Sequence, residues 1–171
     1  MKSTPTPIPT KLEIRTFKNS ADWELAHQYL DEEHFLGAGK EAGDRIGQFI
    51  LEDGSVVAVL VWCASAWHLK KRDDLIGWDP VTRAKRLKLV AQLRRFLVLD
   101  KSRRANLASE CLGLGLRNLQ KQWFKHHGYE PLAVESFSDP ESHAGTVYKA
   151  TNWTLAGDTK GFSQQRSKSG A

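Results

Sequence analysis

The sequence predicts an α/β protein in which a mixed β-sheet carries helices on both faces. Three observations carry this reading. Asp53-Gly54 sits between two apolar runs, which is a strong hairpin signal. The second run, Val56 to Val61, is apolar at every position, as expected of a central strand covered on both faces. Around the hairpin, segments of period 2 and of period 3.6 follow one another in the order β–α–β–β–α–β–α–β–α–β.

The elements can be justified in turn. Residues 12–17 alternate apolar and polar and read as an edge-like strand. Asn19 or Ser20 can cap a following helix, with Asp22 and Glu24 suited to its first turn. Trp23, Ala26 and Leu30 form its buried face, and it ends before Gly37 and Gly39. Residues 49–52 and 55–62 are the hairpin strands. Residues 70–80 read as a polar connection, after which Asp79-Pro80 opens a helix over about 81–93. Its apolar side holds Ala84, Leu87, Val90 and Ala91; the other side holds Arg83, Lys85, Arg86 and Lys88. Residues 96–99 form the next strand. A helix over about 106–124 follows, with Leu112, Leu116, Leu119 and Trp123 on one face and Gly128 as its stop. Gly113 and Gly115 weaken it by roughly 1 kcal/mol each relative to alanine. Residues 132–137 form a strand, Asp139-Pro140 a break, residues 144–151 a short helix carrying Tyr148, and residues 152–155 a last strand. The folded domain is expected over 12–157. A Pro/Thr-rich arm, 1–11, precedes it, and a polar tail or truncated linker, 158–171, follows.

Composition excludes several classes. With 40% hydrophobic residues and six tryptophans, the chain can build a core and is not a disordered protein. No apolar run reaches membrane-spanning length, so no membrane partner is expected. Cys63 and Cys111 lie in apolar surroundings and read as buried free thiols of a cytoplasmic protein. Asp31-Glu32-Glu33-His34 crowds carboxylates and an imidazole, but no matching ligand spacing appears elsewhere and no metal is expected. The net charge is +5, and residues 70–104 hold twelve of the 25 basic groups against four of the 20 acidic ones. Such a concentration suits a polyanion, either a nucleic acid or a nucleotide cofactor, and equally a solvated basic face.

The stretch VLDKSRRANLASE, residues 98–110, places arginines and a helix start directly after a buried strand. Free amides and partial positive charge at a helix N-terminus favour an anion there. The run Arg103-Arg104-Ala105-Asn106-Leu107-Ala108 resembles the phosphate loop of the GNAT acyltransferases, Arg/Gln-x-x-Gly-x-Gly/Ala. Asn106 stands at the middle glycine, and Asn is the next most tolerant residue of a positive φ. The resemblance implies acetyl-CoA or another acyl-CoA as cofactor, with Val98, Arg103, Arg104, Asn106, Leu107 and Ala108 holding it. Tyr148 to Trp153 is similar to the family's Tyr-x-x-x-Gly-Phe, which makes Tyr148 the general acid for the leaving thiolate. Glu135 or Glu33 would be the base, with Glu135 equally a salt-bridge partner of Arg95. The strands around Leu97 and Val134 would splay to admit the pantetheine arm.

A broader resemblance covers nearly the whole chain from Tyr29. The segments HFLG (34–37), AWHLKKRDDLIGW (66–78), RFLVL (95–99), NLASECLG (106–113), ESFSDPESHAGTVYKATNW (135–153) and GDTKG (157–161) are similar to the DruA family. That resemblance implies a setting in mobile DNA and anti-phage defence, with nucleic acid and other defence or transposition proteins as partners. Two readings of function follow. One is transfer of an acyl group from acyl-CoA to an amine on nucleic acid or protein. The other is a non-catalytic DNA-binding module of a defence or transposase-like protein, gripping phosphates through Lys70, Lys71, Arg72, Arg83, Arg86 and Arg95. Trp67, Arg72, Asp73 and Trp78 read equally as a base-stacking loop and as packing anchors.

Overall fold

The computed structural model describes residues 11–138 and 146–159. Its five strands are β1 (Leu12–Thr16), β2 (Arg45–Glu52), β3 (Ser55–Ala64), β4 (Val90–Val98) and β5 (Ala133–Ser136). They lie in one sheet in that spatial order. β1 to β4 are antiparallel neighbours, and β5 joins β4 in parallel. The helices are α1 (Ser20–Glu33), α2 (Lys70–Ile76), α3 (Pro80–Arg86), α4 (Leu107–His127) and α5 (Thr146–Ala150). The arm up to residue 10, the Asp139-Pro140 break, the first residues of the last predicted helix and the tail from residue 160 lie outside the described residues.

The hairpin forms where Asp53-Gly54 predicts it. Both turn residues have positive φ, +51° and +79°, the twist that a two-residue hairpin needs. β3 is the central strand, buried from Val57 to Cys63. Its alternate residues feed two cores. On one face Ile46, Ile50, Leu60 and Trp62 meet α4 through Leu112, Leu119 and Trp123. On the other, Phe49, Val59, Val61, Leu97 and Leu99 meet Phe17 and α1 through Ala26 and Leu30. The Asn19 side chain accepts from the Asp22 amide and caps α1, as its sequence suggests.

α4 approaches the sheet closely because of one glycine. A Cβ on Gly115 would stand 2.7 Å from Leu60 Cδ2 and 2.8 Å from Gln48 Oε1. The fully buried Gln48 donates to the Gly115 carbonyl at 3.1 Å and to Gln122 Oε1 at 2.6 Å, and accepts from Trp62 Nε1 at 2.8 Å. Gly115 therefore weakens the isolated helix but permits this buried, hydrogen-bonded seam.

Four expectations are corrected. The polar connection contains α2, whose last turn is closed by Gly77 in the left-handed conformation. The helix expected over 81–93 ends at Arg86, and one turn of 3₁₀ helix over Leu87–Leu89 leads into β4. β4 consequently starts at Val90 and not at Phe96. Val90, Ala91 and Leu93 have a helical period, but in the strand they are buried, and Ala91 and Leu93 pair with both β3 and β5. Tertiary pairing overrides the local pattern. The last predicted strand, 152–155, is not a strand. The chain turns at Asn152, φ +62°, and the Trp153 amide bonds the Tyr148 carbonyl at 2.9 Å. That turn brings the Trp153 ring edge-on to Tyr148, and both pack against the core between the sheet and α4.

The Phe17 ring lies directly over Gly47, where any Cβ would collide with it. Gly47→Ala is expected to destabilise the fold by about 1–3 kcal/mol through overpacking. Thermal unfolding followed by circular dichroism checks this; an unchanged midpoint would contradict the packing.

Candidate functional site

β4 is paired with β5 only from Val90↔Ala133 to Leu93↔Ser136. Beyond Leu93 the ladder stops, two register steps past the Ala91↔Val134 pair. The predicted splay is therefore present, but it opens at Leu93/Ser136 and leaves Val134 paired. A cleft of about 460 Å³ occupies the gap. Leu93, Phe96, Leu97 and Val98 of β4 form one wall. Ser136, Phe137 and Ser138 at the end of β5, with Thr146, Val147 and Tyr148 of α5, form the other. The loop after α1 contributes Glu33 to Leu36, and the start of α4 contributes Arg103 and Ala108.

A bulge shapes this strand. Arg95 faces Val61 across the β3 ladder and Leu93 faces Trp62, so Arg94 is the extra residue. One inserted residue reverses the side-chain alternation beyond it. Ala91 and Leu93 point to the α4 core, yet Phe96 and Val98 also do so, while Leu97 and Leu99 join the α1 core.

At one end of the cleft lies the loop that precedes α4. Asn106 is its N-cap residue in the left-handed conformation, φ +63° and ψ −2°. Asparagine thus adopts the shape expected of the glycine it replaces. Its side chain makes no capping bond, and its carbonyl accepts from the Glu110 amide at 3.0 Å. Among the described residues the Ala108 and Ser109 amides have no acceptor, as the first turn of a helix leaves them. Arg103 lines the cleft, tethered only by an exposed pair with Asp100 at 2.9 Å. Arg104 turns away. Its guanidinium bonds Glu110 at 2.9 Å and Glu52 at 3.4 Å, and the Glu110 hydrogen bond raises its pKa. Leu107 is buried in the core. Of the six predicted cofactor residues, Val98, Arg103 and Ala108 border the cleft, Asn106 shapes the loop, and Arg104 and Leu107 brace it from behind.

The predicted acid and bases separate. Tyr148 faces the cleft, its hydroxyl 3.0 Å from Ser136 Oγ and its ring edge-on to Trp153. Ser136 escaped the sequence reading because the pairing that brings it to Tyr148 is tertiary. Glu33 also borders the cleft, with Oε2 accepting from the Asp100 amide at 2.8 Å. Glu135 does not. One of its oxygens accepts from the Ala66 amide at 3.0 Å, the other from Arg72 at 3.0 Å. Its partner is Arg72, not Arg95, and both its oxygens are committed.

That pair belongs to a buried network. Asp73 takes Arg72 at 2.9 Å and Arg83 at 3.0 Å, and Arg72 also donates to the Ala66 carbonyl at 2.8 Å. Burial pushes the Asp73 carboxyl up, but the bonds from Arg83 and Arg72 outweigh it and hold its pKa below the usual range. Three predicted phosphate contacts are thereby corrected. Arg72 is 5% exposed, Arg83 is turned inward on Asp73, and Arg95 is 6% exposed. Of the six residues, Lys70, Lys71 and Arg86 remain on the surface, with Lys70 paired to Asp74 at 2.7 Å. Cys63 and Cys111 are buried and free, and burial raises both thiols, Cys111 to about 12. Neither is a nucleophile at neutral pH.

Over residues 2–167 the sequence matches the family described as Druantia protein DruA. No curated protein matches the chain. Among solved structures it is similar to the aminoglycoside N-acetyltransferase AAC(6')-Iy in complex with CoA. The TM-score is 0.58 at 15% identity, over 94% of this chain and 99% of that one. The same enzyme bound to the bisubstrate analogue CoA-S-monomethyl-acetylneamine gives 0.58 at 15% identity, over 91% and 99%. The aminoglycoside acetyltransferase meta-AAC0020, from an uncultured soil metagenomic sample and in complex with trehalose, gives 0.53 at 14% identity, over 89% and 94%. The chain therefore has the GNAT acetyltransferase fold that its sequence resembles.

Two outcomes are expected from this geometry. Asp73→Ala leaves the inward Arg83 without its carboxylate and Arg72 with Glu135 alone, and should cost about 3–5 kcal/mol in urea unfolding. The depressed Asp73 pKa gives stability that is fully present above the unfolded carboxylate value, about 3.9. That stability is lost as pH falls through the lower folded value. Asn106→Gly should leave stability within about 0.5 kcal/mol, whereas Asn106→Val should cost about 1–2 kcal/mol because a β-branched residue resists positive φ.

Proposed function

The chain belongs to the Druantia protein DruA family, and we propose that it transfers an acyl group from acyl-CoA to an amine. One observation carries this reading. A single cleft runs from the α4 N-terminus along the unpaired half of β4 to the Tyr148 hydroxyl. That path offers anion-binding groups at one end, apolar walls between, and a proton donor at the other.

The residues fit the cofactor. Asn106 in its left-handed turn aims the start of α4 outward, where the Ala108 and Ser109 amides and Arg103 can take phosphate oxygens. Phe96, Val98 and Phe137 supply an apolar slot between the strands. Bound acyl-CoA supplies an activated thioester. Transfer requires the acceptor nitrogen to lose a proton and the leaving sulfur to gain one. Tyr148 gives the second proton, its hydroxyl oriented by Ser136. Glu33, whose Oε2 is fixed by Asp100, takes the first at its other oxygen, directly or through water. The acceptor that the sequence suggests, an amine on nucleic acid or protein in a defence setting, is the finer part of this proposal.

Thermal unfolding with acetyl-CoA tests it. Acetyl-CoA at 100 times its Kd should add about 2.7 kcal/mol. For a domain of this size that raises Tm by about 5–10 °C. Arg103→Glu should abolish most of the shift. Tyr148→Phe should keep the shift while lowering acceptor-dependent thiol release about 10²-fold. No shift at saturating acetyl-CoA would overturn the reading.

A further inference from the structure

The acceptor half of the cleft holds charges that the proposed transfer does not use. Because Arg94 is the inserted residue of the bulge, its side chain and that of Arg95 come to the same side of β4. Both guanidinium groups lie under Gly39. A Cβ there would be 2.7 Å from Arg95 Nη2 and 3.8 Å from Arg94 Nη2. Arg95 spends its donors on backbone carbonyls, Gly37 at 2.7 Å and Arg94 at 2.8 Å. Arg94 lines the cleft, and its Nε is buried without a hydrogen-bond partner among the described residues. Among the described residues no carboxylate pairs with either arginine. Glu41 is close enough for Arg95 to feel its charge, but its two oxygens are taken by His27 at 3.3 Å and Arg45 at 2.8 Å. Burial and the Arg94 charge together lower the Arg95 pKa.

Two adjacent, partly desolvated cations with only carbonyls as partners among the described residues are unfavourable unless an anion completes them. The anion of the cofactor is not placed to do so. Its loop begins beyond Val98, roughly 13 Å from Arg94 at about 3.3 Å per strand residue. We propose that Arg94 is a specificity residue for the acceptor, and that the acceptor is an amine carrying a carboxylate or phosphate a few bonds from its nitrogen. This rests on the transferase reading above. Arg94 and the charge of Arg95 behind it take the anionic group, which turns the acceptor nitrogen toward the thioester between Tyr148 and Glu33. An aminoglycoside, the substrate class named for the structural neighbours, is a polycation and meets the wrong sign here.

Three CoA conjugates test this, each joined through S-CH2-CO-NH to a short arm. The arms come from β-alanine, phosphoethanolamine and 1,3-diaminopropane, and end in a carboxylate, a phosphate and an ammonium. Isothermal titration of the full chain compares them, so the shared CoA half cancels. A charge-assisted contact predicts the carboxylate or the phosphate conjugate to bind about ten-fold or more tighter than the ammonium one. The stronger of the two identifies the natural anion. Arg94→Gln should bring all three within about two- to three-fold, and Arg94→Lys should keep part of the preference. Unchanged Tm in both variants separates this from unfolding. Equal binding of the three conjugates, or a preference for ammonium, overturns the acceptor assignment while the transferase reading stands. Failure of acetyl-CoA and all conjugates to bind overturns both.

Discussion

The working parts of this molecule depend on where one β-ladder stops. β4 is hydrogen-bonded on both sides as far as Leu93 and on one side beyond it. A strand interior left unpaired in this way must find other partners for its backbone groups. In this fold the result is a wedge between β4 and β5, with the Tyr148 side chain of α5 at one margin and the start of α4 at another. The bulge at Arg94 lies next to the last paired residue. It reverses the alternation of everything after it, so that Phe96 and Val98 share the α4 side and Leu97 and Leu99 the α1 side. Without it, the apolar residues of the second half of β4 would exchange faces.

Around the wedge, charge is used in two opposite ways. In the Arg72, Asp73, Arg83 and Glu135 network each buried ion has a counter-ion at hydrogen-bond distance. Such pairs contribute little net energy but are costly to break, so they fix geometry. Here they tie α2 and α3 to β5 and to Ala66, the loop that leaves β3. The end of β5 that carries Ser136 is thereby held in register. Arg94 and Arg95 show the other use: cations packed together at the wall of the cleft, with no carboxylate paired to them among the described residues. The difference between an internal brace and a surface for a ligand lies in the counter-ions, and the density of arginines in the sequence does not reveal it.

The loop before α4, proposed to hold phosphate, separates shape from chemistry. Glycine is common in such loops because the turn needs positive φ and the backbone needs room. Asn106 meets the first need at φ +63°. The two neighbouring arginines divide the remaining work. Arg103 faces the cleft, while Arg104 clamps Glu110 and Glu52 and fixes the start of α4 against the β2–β3 hairpin. Leu107 anchors the same turn in the core.

Much of the fold is legible in the sequence because it is local or periodic. Asp53-Gly54 specifies its hairpin, Asn19 its cap, Gly128 the end of α4, and the uniform apolar run of β3 its central place. The run 103–108 and Tyr148 stand out as contiguous motifs, and the structure brings Arg103, Ala108 and Tyr148 to one cleft. What the sequence misplaces is what pairing decides. Residues 90–93 have a helical period but lie in a strand, because β3 and β5 offer them hydrogen bonds and burial that no local preference matches. Arg72, Arg83 and Arg95 look like a solvated basic surface until the counter-ions and carbonyls that take them inside come from segments distant in the chain, Glu135 and Gly37 among them. Ser136 beside Tyr148, and Arg94 at the bulge, have no sequence signal at all. By itself the sequence determined the class of fold and the turn at Asn106 that opens α4, through backbone preferences that act within a few residues. Only the tertiary structure decided which charges face the cleft, because burial and pairing are properties of segments brought together.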